Sequence, residues 1–134
     1  MILTTRGRYA IMAIIDMAEA KNDNPVCLSS ISQRQNISLS YLEQIFSKLR
    51  KTGIVRSIKG PGGGYILNLK AEQITTADVI RAIEEPIKMT KCKNSSGGCT
   101  NKSSKCKTHN LWKGLEIAIY SYFQSVSIYD IVSN

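Results

Sequence analysis

Residues 40–69, SYLEQIFSKLRKTGIVRSIKGPGGGYILNL, decide the fold, because their apolar pattern changes at Gly53 from the spacing of a helix to that of β-strands. The helical part is predicted to end near Thr52. Ser40 and Glu43 have the spacing of a capping box, in which the serine caps the helix and the glutamate bonds back to the cap amide. The side of this helix that is predicted to be buried consists of Leu39, Leu42, Ile45, Phe46 and Leu49.

The strand-like part predicts a β-hairpin. Residues 54–59 and 65–69 are rich in β-forming residues, and the link between them, residues 60–64, reads G-P-G-G-G. Glycine permits positive φ angles and lets another backbone approach closely. The link does not continue into Gly-Lys-Ser/Thr and opens no helix, so the sequence argues against a nucleotide-binding loop.

The order of the predicted elements is that of a winged helix-turn-helix. An amphipathic helix at about 6–20 and a short helix ending near Gln35 precede the basic helix and the hairpin. In such folds the second helix of the motif enters the major groove of DNA, and the hairpin forms the wing. We therefore predict a mainly α fold with a small β-hairpin, in which residues 1–75 form a winged-helix DNA-binding region.

A long apolar helix is predicted at about 108–126, after a shorter helix at about 76–85. Its apolar residues cover more than one face, so it needs burial on two sides, one against its own domain and one against a second copy. A helix buried wholly within its own chain is the alternative. Residues 108–134 are thus predicted to form a dimerisation helix and C-terminal segment, with the homodimer contact at Leu115, Ile119, Tyr122 and Phe123.

The net charge of +8 is concentrated in the first half of the chain. Residues 1–70 contain ten Lys and Arg against four acids, whereas residues 71–134 contain eight against six. This uneven distribution favours a polyanionic partner, most simply double-stranded DNA. An ordinary solvated surface is the alternative.

No apolar stretch reaches the roughly 18 residues of a membrane span. The apolar segment near the N-terminus is interrupted by Asp16 and Glu19 and is not followed by a signal-peptide cleavage site. We therefore expect a cytoplasmic protein without a membrane partner, associated with the nucleoid when it is bound to DNA. In a reducing compartment clustered cysteines bind metal more often than they pair as disulfides, which would be the alternative in a secreted protein.

Three of the four cysteines and the single histidine occur between residues 92 and 109, with the spacing C-x6-C-x6-C-x2-H. Thiolates and neutral imidazole bind zinc and iron–sulfur clusters alike, so the residue types leave both open. Zinc sites usually contain a C-x2-C pair, which this segment lacks. A thiol enzyme with His109 as base is disfavoured, because the sequence shows no group to orient the imidazole and no oxyanion donors. We expect no enzymatic activity and no small-molecule substrate.

Three motifs closely resemble IscR-type bacterial transcription factors. They are L-T-T-R-G-R-Y-A at 3–10, I-S-L-S-Y-L-E-Q-I-F-S-K-L-R-K at 37–51 and K-G-P-G-G-G-Y at 59–65. The resemblance extends over the cysteine segment and the long helix behind it. It implies a winged-helix dimer, held by that helix, that senses iron–sulfur cluster status and acts as a repressor of the genes for cluster assembly.

The resemblance also implies the site residues. One 2Fe–2S cluster would be bound by Cys92, Cys99, Cys106 and His109, which makes residues 76–107 a connecting helix and cluster-binding loop. Bases would be read by Ser40, Glu43 and Gln44. With the basic residues and the wing included, the expected DNA-binding residues are Arg8, Ser38, Ser40, Tyr41, Glu43, Gln44, Lys48, Lys51, Lys59, Gly60, Gly62 and Gly63.

Two features depart from the family pattern. Each interval between cysteines is one residue longer than is usual in the family, a change that a flexible loop absorbs. Lys59 lies at the wing tip, where members of the family usually have an arginine. Lysine lacks the planar guanidinium with which arginine inserts into a minor groove. The alternatives are a structural zinc site and a nitric-oxide or redox sensor of the same fold. Such sensors lack a histidine ligand, so His109 favours the cluster-assembly regulator.

Overall fold

The computed structural model describes residues 3–20, 23–89 and 106–134. A single antiparallel hairpin lies among the helices, so the mainly helical winged helix-turn-helix that the sequence predicts is confirmed. In chain order the described elements are α1 (Thr5–Glu19), α2 (Leu28–Gln35), α3 (Leu39–Lys51), β1 (Val55–Ile58), β2 (Gly64–Leu67), a 3-10 turn (Ala71–Gln73), α4 (Thr76–Ala82), α5 (His109–Ser125) and α6 (Ile128–Val132).

The recognition helix α3 begins two residues earlier than its capping-box pattern predicts. Asn36 adopts a left-handed conformation with φ 55°, and Ile37 is buried directly after it. The chain therefore turns into the helix at Ser38, whose Oγ accepts from the amide of Tyr41 at 3.3 Å. Two predictions are wrong in consequence: Ser40 is not the cap but lies in the first turn, and Leu39 is 42% exposed rather than buried.

The wing is fixed to the body of the protein through β2. Strand β2 pairs with β1, with Val55 opposite Leu67 and Ile58 opposite Gly64. On its other side Tyr65 exchanges two backbone hydrogen bonds with Val26, of 2.8 and 2.9 Å. A Cβ on Gly64 would lie 2.4 Å from the Val26 carbonyl oxygen, so the approach requires glycine. The Tyr65 ring also packs on Phe46 of α3, with 5.0 Å between centroids, which sets the hairpin against the recognition helix.

The core lies where α1, α2, α3, α4 and α6 meet, and it includes Ile14, Ile31, Phe46, Ile83 and Ile128. Beside it, the buried carboxylate of Asp16 joins α1 to α2. The Arg34 guanidinium donates to it at 2.6 and 3.0 Å, and the Gln35 amide donates at 2.9 Å. The hydrogen bonds from Arg34, with that from Gln35, hold the pKa of Asp16 below its ordinary value, although burial acts in the opposite direction.

The C-terminal end of α5 is hydrogen-bonded to the first residue of α4. The Thr76 hydroxyl donates to the Phe123 carbonyl at 2.6 Å, and the Thr76 amide donates to the Val126 carbonyl at 2.9 Å. The chain then forms α6, which the sequence did not predict, and Ile128 enters the core against α1 with no exposed surface. Within the described ranges, no helix has the length and apolar character needed to cross a membrane.

Candidate DNA-binding surface and metal-binding segment

Helix α3 has a buried side and a polar side. Leu42, Ile45, Phe46 and Leu49 enter the core. Ser40, Glu43 and Gln44 lie one helical turn apart on the opposite side, and all three are exposed, as is Lys51 near the end of the helix. A helix fixed along one side with free polar groups near its N-terminus is the arrangement that reads base edges in the major groove.

Tyr41 differs from the other predicted DNA-binding residues of α3, because its ring contacts the protein. It packs edge to face against Tyr9 of α1, with 5.5 Å between the ring centroids, and is half-buried. The contact positions α1 beside the start of α3. Arg8, the neighbour of Tyr9 in the sequence, is exposed on α1. The capping residue Ser38 is exposed at the start of α3.

The wing tip is narrow and consists mainly of backbone. The Gly63 amide donates to the Gly60 carbonyl at 2.9 Å, and both Gly60 and Gly62 have positive φ angles, of 99° and 75°. A Cβ on Gly63 would lie 2.2 Å from the Ile58 carbonyl oxygen. Lys59, Gly60 and Gly62 are exposed, so the tip offers one cation on a turn small enough to approach a DNA backbone.

The predicted metal-binding segment, residues 92–109, is described only at its C-terminal end. Cys92 and Cys99 lie outside the described residues. Cys106 is exposed immediately before α5, and His109 is the first residue of that helix and half-buried. The His109 amide donates to the Cys106 carbonyl at 3.1 Å, so one turn brings these two predicted ligands together. Among the described residues no group of three or more potential metal ligands occurs.

The donor chemistry of this turn fits a thiolate-bound metal centre. The positive end of the α5 dipole favours an anionic sulfur at Cys106, whose Sγ lies 3.4 Å from the Thr108 hydroxyl. The imidazole of His109 supplies a borderline nitrogen donor three positions further on. Both 2Fe–2S and zinc accept such a pair. Cys106 and His109 therefore stay predicted ligands, and a single backbone hydrogen bond joins their positions.

Helix α5 has an apolar stripe that is exposed in the part of the chain that the structure describes. Leu111, Leu115, Ala118 and Tyr122 recur at intervals of four, three and four residues and are exposed, with values of 61% for Leu111, 38% for Leu115 and 68% for Tyr122. We call these four residues the α5 stripe. Ile119 and Phe123, the other two predicted dimer residues, are half-buried. An apolar stripe of this length is typical of a surface that another helix covers.

Two acidic residues that no sequence pattern marked, Glu84 and Glu85, contact α3 and the start of α1. Glu84 Oε2 lies 3.2 Å from Lys48 Nζ of α3, and the Glu85 carboxylate accepts from Thr4, the cap of α1. The partners are 36 and 81 positions away along the chain. No local pattern marks contacts of that separation.

An exposed polar recognition helix, a glycine-rich wing and a basic N-terminal half define a DNA-binding regulator of transcription. The family model for Rrf2, described as an iron-dependent transcriptional regulator, matches residues 3–134. The chain therefore belongs to the Rrf2 family.

The named relatives point to one group of regulators within the Rrf2 family. The regulators called HTH-type transcriptional regulator IscR in Photorhabdus laumondii and Xenorhabdus nematophila are 46% and 47% identical to the chain over 134 residues, which is all of this chain and 80% of each relative. The resemblance to IscR-type proteins is thereby confirmed. These relatives are named as transcription regulators and not as enzymes, in agreement with the prediction.

Solved structures show the same fold. T. potens IscR superimposes with a TM-score of 0.78 at 32% identity, covering 99% of this chain and 87% of that one. CymR, the global cysteine regulator of B. subtilis, superimposes with a TM-score of 0.80 at 32% identity, covering 99% and 97%.

Proposed function

We propose that this transcription regulator senses iron–sulfur cluster status through one 2Fe–2S cluster bound by Cys92, Cys99, Cys106 and His109, and that it controls genes for cluster assembly. The observation that carries the proposal is the turn that places Cys106 and His109 together at the start of α5. The similarity to IscR-type relatives over the whole chain supports it. A bound cluster would supply a redox-sensitive group that needs four protein ligands, the number that this segment offers.

The ligand residues give this binding its own chemistry. A cysteine thiol and a protonated histidine must each lose a proton before they can ligate, so metal binding would weaken in acid. A histidine in place of a thiolate raises the reduction potential of such a centre. Because Cys106 lies in the turn that leads into α5 and His109 is the first residue of the helix, their ligation would fix the start of the helix that carries the α5 stripe.

We propose that two copies associate through the α5 stripe. Soluble oligomers are most often two-fold symmetric dimers, and a two-fold dimer would present two copies of α3 to a two-fold DNA site. Within each copy, Ser40, Glu43 and Gln44 would read bases. The contacts to the DNA backbone would come from Arg8, Ser38, Tyr41, Lys48, Lys51, Lys59, Gly60, Gly62 and Gly63.

Glu43 is expected to set sequence preference more than affinity. A glutamate accepts from cytosine N4 and repels phosphates at mismatched sites, and a good base contact discriminates by about 1–3 kcal/mol. Glu43→Ala should therefore relax specificity and tighten binding to some sequences. The measurement is a binding profile across a randomised DNA library. Glu19→Ala, which removes an exposed carboxylate of α1, is the matched control. An unchanged profile for Glu43→Ala would contradict the assignment.

The colour and the metal and sulfide content of protein purified without oxygen should show which metal is bound. A 2Fe–2S protein should be brown and contain two irons and two sulfides per chain, because the cluster consists of those atoms. A structural zinc site would give a colourless protein with one zinc per chain, since Zn²⁺ has a filled d shell and does not absorb visible light. Stoichiometric zinc without iron or sulfide would exclude the proposed function.

A further inference from the structure

The turn that follows α4 contacts α3 and the start of α1. Glu84 pairs with Lys48 in α3, and Glu85 accepts from the Thr4 amide at the start of α1. Five residues beyond Glu84, the Met89 amide donates to Glu116 Oε1 of α5 at 2.7 Å. The same short segment therefore contacts the recognition helix at one end and the helix that carries the α5 stripe at the other.

The backbone of Glu84 has a conformation that favours glycine. Its φ angle is 60°, and it occupies the left-handed position of a Schellman motif. The Glu84 amide donates to the Arg81 carbonyl at 3.0 Å, and the Glu85 amide donates to the Ile80 carbonyl at 3.2 Å. A residue with a Cβ is disfavoured at this position, and a carboxylate is disfavoured at the negative end of a helix dipole. Glutamate is thus an unfavourable choice at position 84 for the stability of α4.

The ion pair with Lys48 offsets this cost only weakly. The Glu84 side chain is 79% exposed, and exposed ion pairs contribute little to folding. Lys48, in contrast, is half-buried and points from the last turns of α3, where the helix dipole favours a cation. The pair therefore adds little to the stability of the fold, and its other consequence is that the carboxylate holds the Lys48 ammonium.

We propose that Glu84 sets the affinity for DNA by holding Lys48 in the DNA-free protein. The inference rests on the proposed role of Lys48 as a phosphate contact. A DNA phosphate must displace the Glu84 carboxylate to reach Lys48, and the displaced carboxylate then takes up a cation from solution. Both effects weaken binding to every sequence equally, because neither involves a base.

The test measures DNA affinity at several salt concentrations for Glu84→Gln, Lys48→Ala and the double variant. Glu84→Gln should raise affinity for specific and non-specific duplexes by about two- to fivefold, the range that an exposed ion pair can hold back. Its slope of log affinity against log salt should become steeper, because no carboxylate then takes up a cation, and the change should stay below the value of about 0.9 for one phosphate contact. Glu72→Gln, on the exposed 3-10 turn, removes the same charge away from Lys48 and is the control.

In the Lys48→Ala background, Glu84→Gln should have no more effect than Glu72→Gln. An equal gain in both backgrounds, or no gain in either, would overturn the inference while leaving the proposed function intact. If Lys48→Ala bound DNA as tightly as the unchanged protein, the phosphate role of Lys48 and the inference would both be wrong. Glu84→Gly, which suits the left-handed position, should give the same gain in affinity with a higher melting temperature. This variant shows that a gain does not come from damage to α4.

Discussion

Replacing Leu115 and Tyr122 together by lysine is expected to give a folded monomer that binds a two-fold operator about 100- to 10,000-fold more weakly, the gain that linking two binding modules provides. Both residues belong to the exposed α5 stripe, and neither is among the core residues or the partly buried residues packed against the core. Four lysines facing one another across a two-fold axis would repel, whereas each chain alone would keep its α5 contacts with α4. Analytical ultracentrifugation and operator binding measure the two effects.

Gln124→Lys is the matched control, because Gln124 is exposed on α5 but lies on a different side from the stripe. It should remain a dimer and bind the operator normally. The structure also guides the choice of positions. Ile119 and Phe123 are half-buried, so a charge there would disturb their own chain as well. A monomeric unchanged protein at micromolar concentration, or a dimeric double-lysine variant, would refute the proposed dimer surface.

Cys106→Ala is expected to remove the iron-dependent visible absorption completely while the protein stays dimeric. The 2Fe–2S cluster needs all four ligands, and a methyl group offers the iron no donor. The same result is expected for Cys92→Ala and Cys99→Ala. DNA preference should then match that of the cluster-free protein, because ligation can no longer order the start of α5. Absorption spectra, iron and sulfide analysis and operator binding are the measurements.

Cys27→Ala is the control for this series. Cys27 is exposed, belongs to the N-terminus of α2 and hydrogen-bonds to Ser29 and Ser30, which lower the pKa of its thiol to about 7. It lies outside the predicted metal-binding segment, so its removal should leave the chromophore unchanged. His109→Cys should keep a cluster with altered absorption. If a triple Cys→Ala protein bound every operator as tightly as the iron-loaded protein, cluster sensing would be wrong.

Patterns that extend over several turns predicted the fold well. The change of periodicity at Gly53 placed the recognition helix and the hairpin within two residues of where they occur, since burial of Ile45 and Phe46 and the glycine-rich turn act locally. The predicted start of α3 was wrong because two serines, Ser38 and Ser40, are both suitable N-caps. Ser40 has the glutamate of the capping-box pattern, but the left-handed Asn36 and the buried Ile37 bring Ser38 to the cap first.

The elements that sequence reasoning missed depend on contacts between distant parts of the chain. Helix α6 has five residues, too few for a reliable helical period, and it forms because Ile128 fills space beside α1. Glu84 has a role only through Lys48, which approaches it when α4 packs against α3. Residue types predicted the polar side of α3, whereas the half-buried state of Tyr41, Ile119 and Phe123 required the structure. The set of four metal ligands follows from the family resemblance and stays a prediction.

The attachment of α5 to the rest of its chain has a consequence for how target genes are acquired. Thr76 fixes the end of α5, and α6 returns directly into the core, so in the proposed dimer no joint separates α5 from α3. The two copies of α3 would then keep one separation, about 34–36 Å for successive major grooves. An inserted base pair would move one half-site along and around the duplex, and a rigid dimer could not follow. New promoters would therefore be recruited by base changes within half-sites, while the spacing between half-sites stays constant over evolution.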